Sequence, residues 1–276
     1  MKCRIILPGI LCLALICGVF LSAITPGAGA GETVSIYIDG QPMRLEPSAR
    51  LINSTTYVPI YGFSMALGAE TVADSGGSAT VLAPGLRIYA TADDQFIVAN
   101  GRYLHVPHLC REIDGMIFVP IRPLAKAFGA EVYWNEQTRA VEVVQTGLPI
   151  ECGSTFYDET DLFWMARIIS AEARGECMTG RIAVGNVVMN RVASPMYPDT
   201  VHGVIFDRRH GIQFTPAHSG AINRTPAECC IIAAKLALDG ADVVGDSLFF
   251  SSRTIRCWAS RNRPFTVTIG NHNFFG

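Results

Sequence analysis

Leu162, Met165, Ala166, Ile169 and Ala173 recur at the spacing of one helix face, and Gly175 ends the run. Glu172 falls inside that stripe, one turn after Ile168 and Ile169 and close to the direction of Met165. A carboxyl on the core-facing side of a last helical turn meets two effects of the same sign. Desolvation disfavours the anion, and so does the negative end of the helix dipole; both push its pKa upward. A carboxylic acid kept protonated near neutral pH is what a glycosidic oxygen needs from a general acid. On these residues alone, the plainer reading of Glu172 is a buried carboxylate paired with Arg174 or Arg191. Glu176, past the glycine, is expected to be exposed or paired with an arginine.

Hydrolytic glycosidases usually set two carboxylates across the scissile bond. After Glu176 the remaining acids are Asp199, Asp207, Glu228, Asp239, Asp242 and Asp246, and none has a comparably apolar setting. Glu228 and Asp239 are accounted for as a capping residue and a helix end. A site with a single acid suits a reaction in which the substrate's own hydroxyl replaces water. Sugar clefts also need flat apolar faces and a few amide or hydroxyl partners. Phe214, Trp258, Phe249 and Phe250 are candidate faces, and Gln213, Thr215, Asn271 and Ser251 are candidate polar partners; His272 reads as an orienting hydrogen-bonder. His202, His210 and His218 stand eight apart with no close pair on one helix face, a poor zinc set. No C-x-x-C pair occurs, and no metal or other cofactor is expected.

The run Ala166-Arg167-Ile168-Ile169-Ser170-Ala171-Glu172-Ala173-Arg174-Gly175-Glu176 is followed by Gly180 and by Val184 to Arg191. Further on come Gln213-Phe214-Thr215-Pro216 and Thr268-Ile269-Gly270-Asn271-His272-Asn273-Phe274-Phe275. Over 157–275 these motifs resemble the SleB-type cell-wall hydrolases, the spore cortex-lytic enzymes. The resemblance implies a mainly helical, lysozyme-like catalytic domain with a small β part. It implies cleavage of peptidoglycan glycan strands as a lytic transglycosylase, with Glu172 as the acid and Gln213, Phe214, Thr215, Trp258, Asn271 and His272 toward the substrate. Two readings stand beside it: a water-using muramidase, and a catalytically silent wall-binding or spore-assembly protein. The sequence departs from the family pattern at Ser219-Gly220, where an Asp-Gly is common. It departs again at Ser251 to Ala259, where Cys257 precedes Trp258 and an Asn-Pro is missing. These departures bear on the subsites, not on the acid.

The elements that would hold this site are helices. Thr179 is placed to cap one running to about Val192, and Pro198-Asp199-Thr200 to open a short one toward Phe206. Thr225-Pro226-Ala227-Glu228 reads as a capping box opening a helix that stops at Asp239-Gly240. Ser247 to Ser251 and Phe265 to Ile269 read as strands.

Residues 31–146 follow a different grammar, an internal repeat with an offset of 61. Val34 to Ile38 with Asp39-Gly40 returns as Phe96 to Ala99 with Asn100-Gly101. Thr56-Tyr57-Val58-Pro59-Ile60 returns as Ile117-Phe118-Val119-Pro120-Ile121, and Met65 to Glu70 as Lys126 to Glu131. Each half reads as a hairpin, a short helix ended by glycine and returning strands, with Asn135 to Thr138 turning into the strand Ala140 to Val144. These units resemble the copper amine oxidase-like N-terminal domain of exported proteins. Copper is not expected, since His105 and His108, three apart on a strand, would point to opposite faces. The module, an α+β one, would dock on a wall polymer or an accessory protein. Residues 147–156 read as a linker and 157–276 as the catalytic domain, giving an α+β chain overall.

Of the 276 residues 49% are hydrophobic and 17% charged, with 22 basic against 24 acidic side chains and a net charge of −2. That balance excludes a disordered chain, a strongly basic nucleic-acid binder and a polybasic membrane anchor. The mean hydropathy of +0.28 is high, and residues 1–30 account for part of it. Lys2 and Arg4, an apolar stretch from Ile5 to Ile24 and the Ala28-Gly29-Ala30 end have the layout of a cleaved secretory signal, and Pro26-Gly27 favours cleavage over an anchor. The leader implies a secreted chain, and the resemblance implies the cell wall, the spore cortex or the spore envelope as its location, with a membrane involved only through an uncleaved leader. Without 1–30 the chain carries 20 basic against 24 acidic groups and six cysteines, Cys110, Cys152, Cys177, Cys229, Cys230 and Cys257. An even count in an exported chain permits disulfides, Cys177 with Cys257 among them, without specifying any.

Overall fold

The computed structural model describes residues 31–276 apart from His210, and these form one compact unit. The leader assigned to 1–30 lies outside the described residues. Among those described, no helix is long and apolar enough to cross a membrane. The N-terminal part is β-rich and the C-terminal part mainly helical with a three-stranded sheet.

The repeat is visible as a local twofold. Strands Thr55–Pro59 and Met116–Pro120 run antiparallel at the middle of a five-stranded sheet, with Val58 facing Val119, Tyr57 facing Pro120 and Phe118 facing Pro59. Val58 thus faces its own repeat equivalent, and Tyr57 and Pro59 each face the equivalent of the other. Helix α1 (Ile60–Ala66) and helix α2 (Ile121–Ala127) follow these strands at the same offset, each closed by a glycine of positive φ, Gly68 and Gly129. Pairing outside this axis is crossed between the halves. The first hairpin, Ser35–Ile38 with Gln41–Met43, joins Ala140–Gln145 of the second half in parallel register. The second hairpin, Phe96–Ala99 with Arg102–His105, joins Leu86–Thr91 of the first. His105 ends a strand and His108 lies beyond it, so the two do not share a strand as expected from their spacing.

The stretch expected to be a free linker is bound down. Gly153 N–H donates to Asn100 O at 2.8 Å, Asn100 Nδ2 donates to Ile150 O at 3.0 Å, and Ile150 packs on the core of the β-rich part. Residues 153–156 make a one-turn helix α3 (Gly153–Phe156). The stretch is thus tied to the module through the backbone of Ile150 and Gly153.

Helix α4 (Glu159–Ala173) is capped by Asp158, whose carboxylate accepts from Thr160 and Asp161 N–H. It buries Met165, Ala166, Ile168, Ile169 and Ala173, at roughly 1.5–3 kcal/mol for each large side chain. Helix α5 (Met178–Ala193) crosses it at Gly185, where a Cβ would lie 2.8 Å from Ala237 Cβ and 3.2 Å from Ile169 Cδ1. Helix α6 (Val201–Phe206) is capped by the Thr200 hydroxyl as expected. Helix α7 (Thr215–Ser219) comes next, then α8 (Glu228–Leu238), ended by Gly240, and the short α9 (Ala259–Asn262).

Two expected caps are absent. Cys177 holds the N-cap position of α5, and the Thr179 hydroxyl instead meets Gln95 Nε2 at 3.2 Å across the junction. Helix α8 opens at Glu228 with no side-chain cap. The Arg174 guanidinium donates to Thr225 O at 3.3 Å, and a residue preceding proline avoids the helical region, so 225–227 stay extended.

Candidate active site

Glu172 sits in the last turn of α4, partly buried, and burial lifts its pKa to about 6. Neither arginine that could have neutralised it does so. Arg174 reaches Thr225 O. Arg191 is buried, donates from Nε to Leu248 O at 2.8 Å and lies over the rings of Tyr197, Phe214 and Phe249. Among the described residues, desolvation therefore acts on Glu172 without a compensating cation, which favours the neutral carboxyl. Such a group can donate a proton to an ether oxygen and, once ionised, take one back.

Three other acids of this half have structural work. Asp207 is buried against the Arg209 guanidinium, Asp242 accepts from Val244 and Gly245 N–H, and Asp158 caps α4. Glu176 is not exposed, nor is it in a salt bridge with an arginine, as the sequence reading had it. Its carboxylate accepts from Asn271 N–H at 3.1 Å and Asn271 Nδ2 at 3.0 Å, with His272 Nδ1 4.0 Å away. Burial pushes its pKa up, but these hydrogen bonds and the charge of neighbouring groups outweigh that and hold it below the usual carboxylate range.

Glu176 thereby ties the turn between strands Phe265–Ile269 and His272–Phe275 to the end of α4. Gly270 makes this possible: at φ +56° it occupies the left-handed region, and a Cβ there would lie against Glu176 Oε2. Gly270→Ala is expected to cost about 2 kcal/mol, from left-handed strain and displaced hydrogen bonds. Thermal unfolding checks this, and adding Glu176→Ala in the same chain should cost much less than it does alone.

The structure divides the expected substrate-binding residues. Phe250, His272 and Phe274 share one face of the three-stranded sheet, with His272 edge-on to Phe250 at 5.4 Å. Phe249 is on the opposite face and packs on Trp258 at 5.7 Å, with Arg263 over both rings. Trp258 is 57% exposed and offers a flat apolar face, but on the other side of the sheet from His272. Phe214 offers none: it is 1% exposed, packed against Phe250 and under Arg191, so it belongs to the core. Gln213 is partly buried with Nε2 donating to Gly211 O, and Thr215 is exposed at the start of α7, which packs on α4. Asn271 is exposed, yet its amide is engaged by Glu176. The six cysteines among the described residues form no disulfides.

Sequence reasoning passed over Asp239, read as a helix end. Its carboxylate is 2% exposed and receives Arg102 Nε at 2.8 Å, Lys126 Nζ at 2.8 Å and Tyr157 Oη at 3.3 Å. Tyr103 N–H donates to the same Tyr157 oxygen at 2.9 Å, and Arg102 covers the Phe156 ring at 3.4 Å. The β-rich part is thereby fastened to the helical one. The β-rich part offers copper no ligand set: His105 is partly buried at a strand end and His108 exposed beyond it, and no group of three His, Cys, Asp or Glu among the described residues could hold a metal.

Comparison with known proteins agrees with this division. The cell wall hydrolase family matches residues 175–275 and the copper amine oxidase N-terminal domain matches 37–143. Glu172 thus lies three residues before the first match begins. The chain is 38% identical over 119 residues to a spore cortex-lytic enzyme of Halalkalibacterium halodurans, covering 43% of this chain and 35% of that protein. A spore cortex-lytic enzyme of Bacillus cereus is also 38% identical over 119 residues, 45% of its length. The chain therefore spans less than half the length of these relatives. Among solved structures, the catalytic domain of the germination-specific lytic transglycosylase SleB from Bacillus anthracis is 35% identical, with 46% of this chain and 100% of that one covered at a TM-score of 0.40.

Proposed function

From the premise that the chain belongs to the cell wall hydrolase family through residues 175–275, we propose that it cleaves the glycan strands of peptidoglycan as a lytic transglycosylase. The observation that supports this most directly is Glu172, a partly buried carboxyl raised to about 6 by burial and left without a cation. In the proposed reaction the protonated Glu172 gives its proton to the glycosidic oxygen as the bond from that oxygen to C1 of the muramic residue breaks. The resulting carboxylate takes the proton from the muramic 6-hydroxyl, whose oxygen bonds to C1. The acid is restored, and a 1,6-anhydro end forms without water. A single carboxyl is enough for this cycle, which fits the structural engagement of Asp207, Asp242 and Glu176.

Trp258, Gln213 and Thr215 are the proposed substrate contacts; His272 and Asn271 position the end of α4 through Glu176. The place of action is the wall or the spore cortex. The N-terminal module is proposed to bind wall polymer or an accessory protein. Digesting purified peptidoglycan and weighing the fragments tests the reaction: anhydro-muramic ends are expected. Uniformly reducing ends would assign a water-using muramidase instead, and intact strands would leave a wall-binding protein. Running cortex and vegetative wall side by side reads the preference for muramic-lactam.

A further inference from the structure

A cavity of about 750 Å³ lies where the β-rich part meets the loop after α8, and Glu172 is not among its walls. Trp134, 36% exposed on the strand Ala130–Asn135, presents one flat aromatic face there, whereas Tyr133 beside it points to the opposite face of the strand, where its hydroxyl donates to Glu131. Facing residues supply the hydroxyls of Ser54, Thr55 and Thr56. Arg122 Nη1 donates to Val132 O and ties α2 to the aromatic strand. Charges around the space balance: Arg122, Lys126 and the Arg102 behind Asp239 stand against Glu136, Asp239 and Asp242. The volume is within the roughly 300–1,000 Å³ of small-ligand sites.

Trp134 is not part of the repeat. At the offset of 61, Tyr133 and Trp134 correspond to Val72 and Ala73, and Arg122 and Lys126 to Tyr61 and Met65. The second half alone has acquired these residues, and it is the half fastened to the hydrolase part through Asp239. Repeat symmetry and core packing do not require the exposed Trp134 ring. One stacking face, hydroxyls and balanced charge suit an uncharged sugar ring better than an anionic polymer or a peptide.

We infer that this cavity is a second glycan-binding site, which takes a short uncharged run of N-acetylated amino sugars and holds the wall polymer while the hydrolase part cuts it. The inference rests on the proposed function for its polymer, yet its readout is separate. The full chain carrying Glu172→Gln is sedimented with peptidoglycan stripped of its anionic polymers. Adding Trp134→Ala is expected to lower retention about tenfold, and Trp134→Phe to keep most of it. Chitotetraose, a glycan without peptide, should release the bound chain and a free stem tetrapeptide should not. Equal retention of the Trp134→Ala and parent chains, or release by the tetrapeptide alone, would overturn the inference. With Glu172 present, Trp134→Ala should cut a short soluble glycan at the unaltered rate. Absence of cutting by the otherwise unaltered chain would strike the proposed function and leave the retention result standing.

Discussion

Glu172→Gln is expected to abolish most glycan cleavage, by about 10²–10⁴-fold, while making the protein more stable at neutral pH. The substitution keeps the volume and removes the ionisation. In the folded chain the carboxyl titrates at about 6 against an ordinary 4.5. The folded state therefore holds its proton more tightly than the unfolded one. The sign follows: stability from this group is complete below about pH 4.5, falls as pH rises toward 6, and is gone above it. The deficit at pH 7.5 is about 2 kcal/mol. The Gln variant does not suffer it, so its thermal unfolding should exceed that of the parent at pH 7.5 and converge with it near pH 4. Cleavage by the parent should decline as pH rises past about 6, since the proton donor is then lost. A folded Glu172→Gln chain with undiminished cleavage would remove Glu172 from the mechanism.

The second large effect concerns the junction. Asp239→Asn should cost about 3–5 kcal/mol, because the Arg102 guanidinium, its side chain 8% exposed, would remain buried without its counter-charge. Lys126, at 48% exposure, can turn to water, so little of the loss comes from it. Urea unfolding measures the cost, and trypsin susceptibility around 147–156 shows whether the two parts separate. Replacing Arg102 and Asp239 together by leucine should recover most of the stability, since the pair then no longer carries an unpaired charge. An Asp239→Asn chain that unfolds at the parent's midpoint would mean that the contact contributes nothing net.

Legibility followed the distance over which each feature is encoded. The apolar stripe around Glu172 spans little more than three turns of one helix, so its buried side and the upward push on the carboxyl were both readable. The repeat was readable for the same reason, as short strings with an offset of 61. Phe214 was misjudged because an aromatic in a motif has the same letters whether its ring faces a cleft or, as here, the core under Arg191. Glu176 was misjudged because its partner Asn271 is 95 residues away.

By itself the sequence determined the α+β division, the repeat, the helix that carries Glu172 and the apolar setting of that carboxyl. All of these depend on local periodicity, in which neighbours along the chain are neighbours in space. The tertiary structure decided what long-range pairing decides. Arg174 and Arg191 were drawn to backbone carbonyls elsewhere, which left Glu172 without a counter-charge. Asp239 found Arg102 across 137 residues and turned a helix end into the bond between the two halves. Each such choice trades the desolvation of one charged group against the partners within its reach. No stretch of sequence holds both sides of that trade; the folded chain does.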